Sequence, residues 1–266
     1  MKTKNRSKKR NKKGIYILPN LFTSCSLFGG FYAIIAATQA RYDAAAIAIL
    51  ISFILDGLDG KIARFTNTTS QFGVEYDSLS DLVAFGVAPG LLIFEWALKP
   101  FGRFGWLAVF LYIICGALRL ARFNVQKANI ESQHFKGLPI PGAGILIATG
   151  VLFSNSLGGL NENLHILIII TIYLLSFLMV STIDYLSFKE LELLKQKPFN
   201  VLVAFILVFV VVAYKPALML FLFSSVYVFS GPALKLYHVL RGEAKKPKPL
   251  IASSSKNSEE SLESKS

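Results

Sequence analysis

The residues that build zinc sites and disulfide scaffolds are scarce in this chain. There are two cysteines, Cys25 and Cys115, both inside apolar stretches. They offer neither a zinc-ligand spacing nor the basis of a disulfide framework. The three histidines, His134, His165 and His238, are scattered without ligand spacing. No internal repeat of roughly 20–50 residues is evident, which excludes solenoid and propeller arrays. The first apolar segment follows a long basic stretch and lacks a clear small-residue cleavage site, so no cleaved secretory signal is expected. Acidic residues are also few, 16 against 28 Lys and Arg, for a net charge of +12. No soluble binding module accompanies the basic N-terminus, so nucleic acid is not the expected partner.

Apolar residues dominate instead. They make up 53% of the chain, with 22 phenylalanines and a mean hydropathy of +0.53. Apolar stretches near residues 20–38, 44–60, 79–97, 105–121, 141–158, 164–186, 199–213 and 216–236 approach the ~20 residues a membrane-spanning helix needs. The expected fold is therefore all-α, a polytopic integral membrane helix bundle of about eight transmembrane helices, with six or seven as alternatives. Under this topology 24 of the 28 Lys and Arg fall on one side and only Arg41, Lys99, Arg103 and Lys215 on the other. The positive-inside rule then makes both termini cytoplasmic, and the net charge becomes orientation plus attraction to anionic lipid headgroups. Four regions result: a basic cytoplasmic segment (1–18), a six-helix core (19–189), two additional transmembrane helices (190–241) and a tail (242–266). The tail is rich in Lys, Ser and Glu, too polar to offset the entropy of ordering.

Four aspartates break the apolar pattern within a short stretch, Asp56, Asp59, Asp77 and Asp81. Carboxylates beside membrane-length segments are expensive, so they mark a functional site facing a water-filled cavity. Asp56 and Asp59 are spaced i,i+3, and Asp77 and Asp81 i,i+4; on helices, each pair shares a face. A short connector, with Gly60 and Gly73 expected at its two ends, would bring the pairs together around one or two divalent cations. Hard oxygen ligands suit Mg²⁺ or Mn²⁺, which join carboxylates to substrate phosphates. A second informative stretch holds Arg119, Arg122 and Asn124, followed by Lys136-Gly137-Leu-Pro-Ile-Pro141. Arg119 and Arg122 could share a helix face toward the site, or serve as interfacial anchors.

The pattern D-x2-D-G-x2-A-R-x8-G-x3-D-x3-D, complete from Asp56 to Asp81, resembles that of the CDP-alcohol phosphatidyltransferases. Several strings resemble the phosphatidylserine synthase branch of that family. They are Pro19-Asn20-Leu-Phe-Thr23, Leu118-Arg-Leu-Ala-Arg-Phe-Asn124, Phe135-Lys-Gly-Leu-Pro-Ile-Pro141, and Ser181 with Tyr185 at the end of the sixth span. Together they cover residues from about 19 to 189. The resemblance implies transfer of a phosphatidyl group from CDP-diacylglycerol to an alcohol, with L-serine as acceptor, releasing CMP. It implies two metal ions held by Asp56, Asp59, Asp77 and Asp81, with Asp81 also as general base, although Asp81 could remain a metal ligand only. Gly60, Arg64 and Ser70 would contact CDP-diacylglycerol, with Asn20 and Thr23 in support. If serine is the acceptor, Arg119 and Arg122, with Asn124 and Lys136 in reserve, could hold its carboxylate; Glu75 or Asp184 could meet its ammonium. A homodimer in a bacterial or archaeal cell membrane, with the site facing the cytoplasm, is the further expectation.

Three alternatives stay open. A sister enzyme using glycerol 3-phosphate or inositol phosphate would need more basic residues for the acceptor's own phosphate. A membrane prenyltransferase also uses Asp-rich helices, but the D-G-x2-A-R spacing counts against it. A non-enzymatic lipid scramblase or transporter would spread its carboxylates across the bilayer midplane rather than cluster them at one helix end.

Overall fold

The computed structural model describes residues 17–66, 70–128, 137–159, 164–183, 185, 203, 206–207 and 210–241. These are helical apart from short connections. The chain divides into two units, Met1–Pro232 and Ala233–Ser266. In the second, described residues comprise the end of a helix and Arg241, whose guanidinium lies 4.9 Å from the Tyr237 ring centroid.

Helix α1 (Ile17–Thr38) and α2 (Tyr42–Phe65) form an antiparallel pair. Their seam is made of small residues, with Ala33, Ala36, Ala37, Ala45, Ala46 and Ala48 buried. Close backbone approach is how helices gain packing energy where lipid is as apolar as leucine. At the seam Ser26 Oγ donates to the Ser52 carbonyl at 3.1 Å, and Ser52 Oγ returns a bond to the Ser26 carbonyl at 3.0 Å. The turn closes with Arg41 N–H on the Ala36 carbonyl and Ala40 N–H on that of Ala37. Ala40 takes the left-handed conformation, φ 57°, that this helix-ending motif requires and glycine usually supplies.

The third helical run, α3 (Gln71–Phe101), changes its winding four times, ending in a 3-10 turn over Lys99–Phe101. It is α-helical to Asp81, π-helical over Leu82–Val87, α-helical again over Ala88–Ile93, and π-helical over Phe94–Leu98. Pro89 gives the physical reason for the first π turn. Lacking an N–H, it cannot bond the Phe85 carbonyl four residues earlier. Ala88 N–H instead reaches five residues back to Val83, and the buried Tyr112 hydroxyl donates to the Phe85 carbonyl at 2.8 Å. Tyr112 belongs to α4 (Arg103–Ala128), so this wide turn joins α3 to α4.

Helix α5 (Ile140–Ser156) and α6 (Leu164–Val180) follow, then α7 (Pro216–Leu240). Thr149 and Ser224 share a buried hydrogen bond of 2.9 Å between α5 and α7, beside the stacked rings of Phe153 and Phe221. Among the described residues, four helical runs are long and apolar enough to cross a membrane, and α5 and α6 are shorter apolar helices. In the region of the expected seventh span, Val203, Ile206, Leu207 and residues 210–214 are helical; the bounds of that span lie outside the described residues.

Two expectations need correction. Gly60 is not at the edge of a connector. Helix α2 runs through Gly57 and Gly60 to Phe65, and the connector begins at Thr66. Helical neighbours on both sides outweigh glycine's cost of about 1 kcal/mol. The sixth span also stops at Val180 instead of 186. Beyond it, Ser181 Oγ accepts the Ile183 N–H at 3.4 Å, while the Ile183 carbonyl accepts the Gly137 N–H at 2.8 Å. Local side-chain bonds of this kind compete with continued helix.

Candidate active site

Helices α2 and α3 bring their aspartates together near the connector between them. One carboxylate oxygen from each of Asp56, Asp59 and Asp77 lies within 4.8 Å of the others. Asp56 is in side-chain contact with both Asp77 and Asp81, so all four carboxylates converge. Like charges this close repel strongly unless a cation or proton compensates. The donor set consists of carboxylate oxygens alone, and Asp81 Oδ1 is buried without a hydrogen-bond partner. That is an orphaned acceptor of the kind a cation satisfies. The residues therefore fit Mg²⁺ or Mn²⁺.

Helix α1 braces the cluster. Thr23 Oγ1 donates to Asp59 Oδ2 at 2.7 Å and is itself buried. Ser80 Oγ donates to the Thr23 carbonyl at 3.1 Å, and Ser24 shares a 2.9 Å bond with the Tyr76 hydroxyl. Tyr76 and Ser80 escaped the sequence reading; their one signal was i,i+4 spacing on the aspartate helix. Ser70 caps α3, accepting the Gly73 N–H at 3.0 Å. Asn20 reaches the same turn, its Oδ1 3.5 Å from where a Cβ on Gly73 would stand.

On α2, Gly57 and Gly60 leave an open strip, since a Cβ at either would meet nothing within 4 Å. Gly57 also escaped the sequence reading, although the spacing of 57, 60 and 64 puts it on one stripe with Gly60 and Arg64. Arg64 is exposed, and its Nε donates to the Gly60 carbonyl at 3.0 Å. This stripe of open backbone and guanidinium adjoins the aspartate face, Gly60 standing four residues after Asp56 on the same helix.

The second group of expected residues divides. Arg119 is buried, 7% exposed, with its guanidinium 5.7 Å from the Phe123 ring centroid. Its charge interacts with that of Asp81, yet its Nε has no hydrogen-bond partner. Arg122 points elsewhere: its two terminal nitrogens donate to the carbonyls of Val180 and Ser181, both at 3.2 Å. There it ties α4 to the end of α6, beside the Gly137–Ile183 bond. The strings around Arg122, Gly137 and Ser181 thus assemble as one bracket. Asn124 faces the outer side of α3, donating to Ser78 Oγ at 3.0 Å and Glu75 Oε2 at 3.1 Å. Both rim a groove of about 250 Å³ between α3 and α4. Lys136 and Asp184 lie outside the described residues.

Residues 16–180 match the family described as CDP-alcohol phosphatidyltransferase. A CDP-diacylglycerol–serine O-phosphatidyltransferase of Helicobacter pylori is 42% identical over 217 residues, covering 82% of this chain and 90% of that protein. The protein of the same name in Bacillus subtilis strain 168 is 36% identical over 173 residues, 65% of this chain and 92% of the relative. An archaetidylserine synthase of Methanothermobacter thermautotrophicus is 36% identical over 170 residues, 63% and 69%. With its aspartate cluster in place and the family matched over more than half its length, the chain belongs to the CDP-alcohol phosphatidyltransferases. It is a membrane-helical transferase with a carboxylate site suited to a divalent metal.

Proposed function

We propose that the chain transfers a phosphatidyl group from CDP-diacylglycerol to L-serine, giving phosphatidylserine and CMP. The names of the relatives support this reading, and one observation on this chain carries it. Asp81 and Arg119 interact electrostatically, and each has a buried polar atom without a protein partner. Serine needs this combination, an acceptor for its hydroxyl proton and a cation for its carboxylate.

In this reading Asp81 accepts the proton from serine Oγ, which would otherwise be a poor nucleophile. Serine Oγ forms a bond to the phosphatidyl phosphorus, and the bond from that phosphorus to the oxygen bridging it to CMP breaks. CMP leaves with the bridging oxygen. Bound Mg²⁺ or Mn²⁺, as two ions held by Asp56, Asp59, Asp77 and Asp81, supplies neutralisation of the diphosphate and of the leaving CMP. Arg64 neutralises donor phosphate, and Gly57 and Gly60 let the nucleotide approach the α2 backbone closely. Thr23 keeps Asp59 oriented. Asn20 and Ser70 set the position of the first turn of α3. Arg119 holds the serine carboxylate, while Arg122 braces the wall behind it. The site faces the cytoplasm, where serine and CMP are soluble.

The test is CMP release by the purified protein with CDP-diacylglycerol and Mg²⁺ or Mn²⁺, offered serine, glycerol 3-phosphate and inositol phosphate in parallel. Serine alone should support turnover. Turnover with a phosphorylated polyol and none with serine would overturn the acceptor assignment while leaving the family reaction intact.

A further inference from the structure

The first π turn of α3 opens directly after Asp81. A π turn holds roughly one residue more than an α turn, and each residue turns an α-helix by about 100°. The helix before the turn is therefore rotated by about that angle from where an unbroken α-helix would put it. Asp77 and Asp81 lie before it, while the fully buried Ala88 and Leu92 lie after it. With the later residues packed in the core, the face the aspartates present to α2 depends on the turn staying wide.

Three helices close on this turn. From α1, a Cβ on Gly30 would come within 2.7 Å of Ala84 Cα. From α5, a Cβ on Gly144 would come within 3.0 Å of the Phe85 carbonyl oxygen. At both places backbone lies directly against the turn. From α4, the fully buried Tyr112 donates its hydroxyl to that same carbonyl oxygen at 2.8 Å. In an unbroken α-helix residue 89 would supply this hydrogen bond, and Pro89 has no N–H to give. The hydroxyl thus stands in for the missing donor. The aspartate end is anchored separately, by Ser80 Oγ on the Thr23 carbonyl of α1 and by the side-chain contact between Asp56 and Asp81. A helix held on both sides of a wide turn has one setting of Asp81 against Asp56.

The geometry points to Tyr112 as a positioning residue for Asp81. By holding the Phe85 carbonyl it keeps the π turn open, and the open turn keeps the Asp81 carboxylate aimed at Asp56 and the metal cluster. This rests on the assignment of Asp81 to that cluster and adds to it a buried tyrosine on another helix.

The experiment measures Mn²⁺ binding to the full-length protein in detergent micelles, without either substrate, from the loss of the free-ion EPR signal. Melting temperature is followed on the same samples. Tyr112→Phe keeps the ring and removes the hydroxyl. It should weaken Mn²⁺ binding at least about tenfold, the lower end for lost support behind a metal ligand, and lower the melting temperature. Adding Pro89→Ala gives the Phe85 carbonyl an N–H donor in α geometry. The double variant should regain most of the melting temperature while Mn²⁺ binding stays weak, because the turn has narrowed. A role confined to stability would restore both, and that result overturns the proposal. Should Tyr112→Phe alone not survive extraction, the double variant carries the test against the parent. Thr149→Val, which loses a buried bond between α5 and α7, should lower the melting temperature and leave Mn²⁺ binding unchanged. Weakened binding there would show that any loosening of the bundle has this effect, which also overturns the proposal. Asp81→Asn separates the two claims. If it weakens Mn²⁺ binding and Tyr112→Phe does not, the proposal falls and the metal assignment stands. If neither does, the place of Asp81 in the cluster has failed and takes the proposal with it.

Discussion

The two ends of the helix bundle treat polar side chains in opposite ways. Away from the aspartate cluster, Asn155 donates to Asp43 Oδ1 at 2.7 Å and accepts from Trp96 Nε1 at 3.3 Å. Tyr42 donates to the Glu95 carbonyl, His165 Nδ1 bonds the Ala97 carbonyl, and Lys99 pairs with Glu95. Asp43 also sits in the first turn of α2, where a negative charge suits the helix dipole. Each of these groups has a partner within the protein. At the other end, four carboxylates crowd together and Asp81 and Arg119 retain buried atoms without partners. Satisfied polar groups hold a fold together, and buried ones left unsatisfied point to a ligand. Both ends are rich in charge, so composition alone does not separate them.

Eight substitutions sharpen or break this contrast. The largest effect belongs to the carboxylates. Asp56→Asn, Asp59→Asn, Asp77→Asn and Asp81→Asn should each lower CMP release by at least about 100-fold while the protein still inserts in the membrane. Near-normal turnover in Asp56→Asn or Asp77→Asn would remove the metal assignment. Next comes Arg119→Lys, which replaces a planar fork with a point charge. Losing a hydrogen bond to a charged group costs about 1.5–3 kcal/mol, so serine KM should rise roughly ten- to 150-fold. Arg122→Lys should lower thermal stability and leave that KM unchanged. A smaller change is expected from Thr23→Val, which deletes the 2.7 Å bond to Asp59. Such support of a ligand is worth roughly tenfold or more in metal affinity, readable as a higher Mn²⁺ concentration for half-maximal activity. At the opposite end, Asp43→Asn should lower stability by only about 0.3–1 kcal/mol, the worth of a first-turn negative charge, and leave turnover unaltered. Loss of activity there would erase the distinction between the two ends.

The sequence made the aspartate spacing legible because carboxylates are costly in apolar helices and side-chain period translates directly into a shared face. The small-residue seam of α1 and α2 was written in the same way, in runs of alanine. The path of α2 through Gly60 was not, because glycine marks a helix end and tolerates a helix interior equally well. Pro89 did hold the signal for the π turn after Asp81, but choosing a wide turn over a kink depended on Tyr112 being present to take the Phe85 carbonyl. The parting of Arg119 from Arg122 was equally hidden. Three residues apart, they lie within one broad face, and the backbone carbonyls at the end of α6 decide which of them turns away.

The length of α3 has a consequence for where a lipid would react. From Lys99 back to Asp81 the helix would rise about 27 Å at the α-helical 1.5 Å per residue. Its two π turns shorten that somewhat, and the length still approaches the ~30 Å thickness of a bilayer's hydrocarbon layer. With Lys99 at one water boundary, the aspartates come to the other, at the depth of the headgroups. A diphosphate anchored by two acyl chains already floats at that depth. It can arrive by sliding sideways within its leaflet, with neither chain pulled into water nor headgroup dragged through oil, and the product can drift away along the same plane.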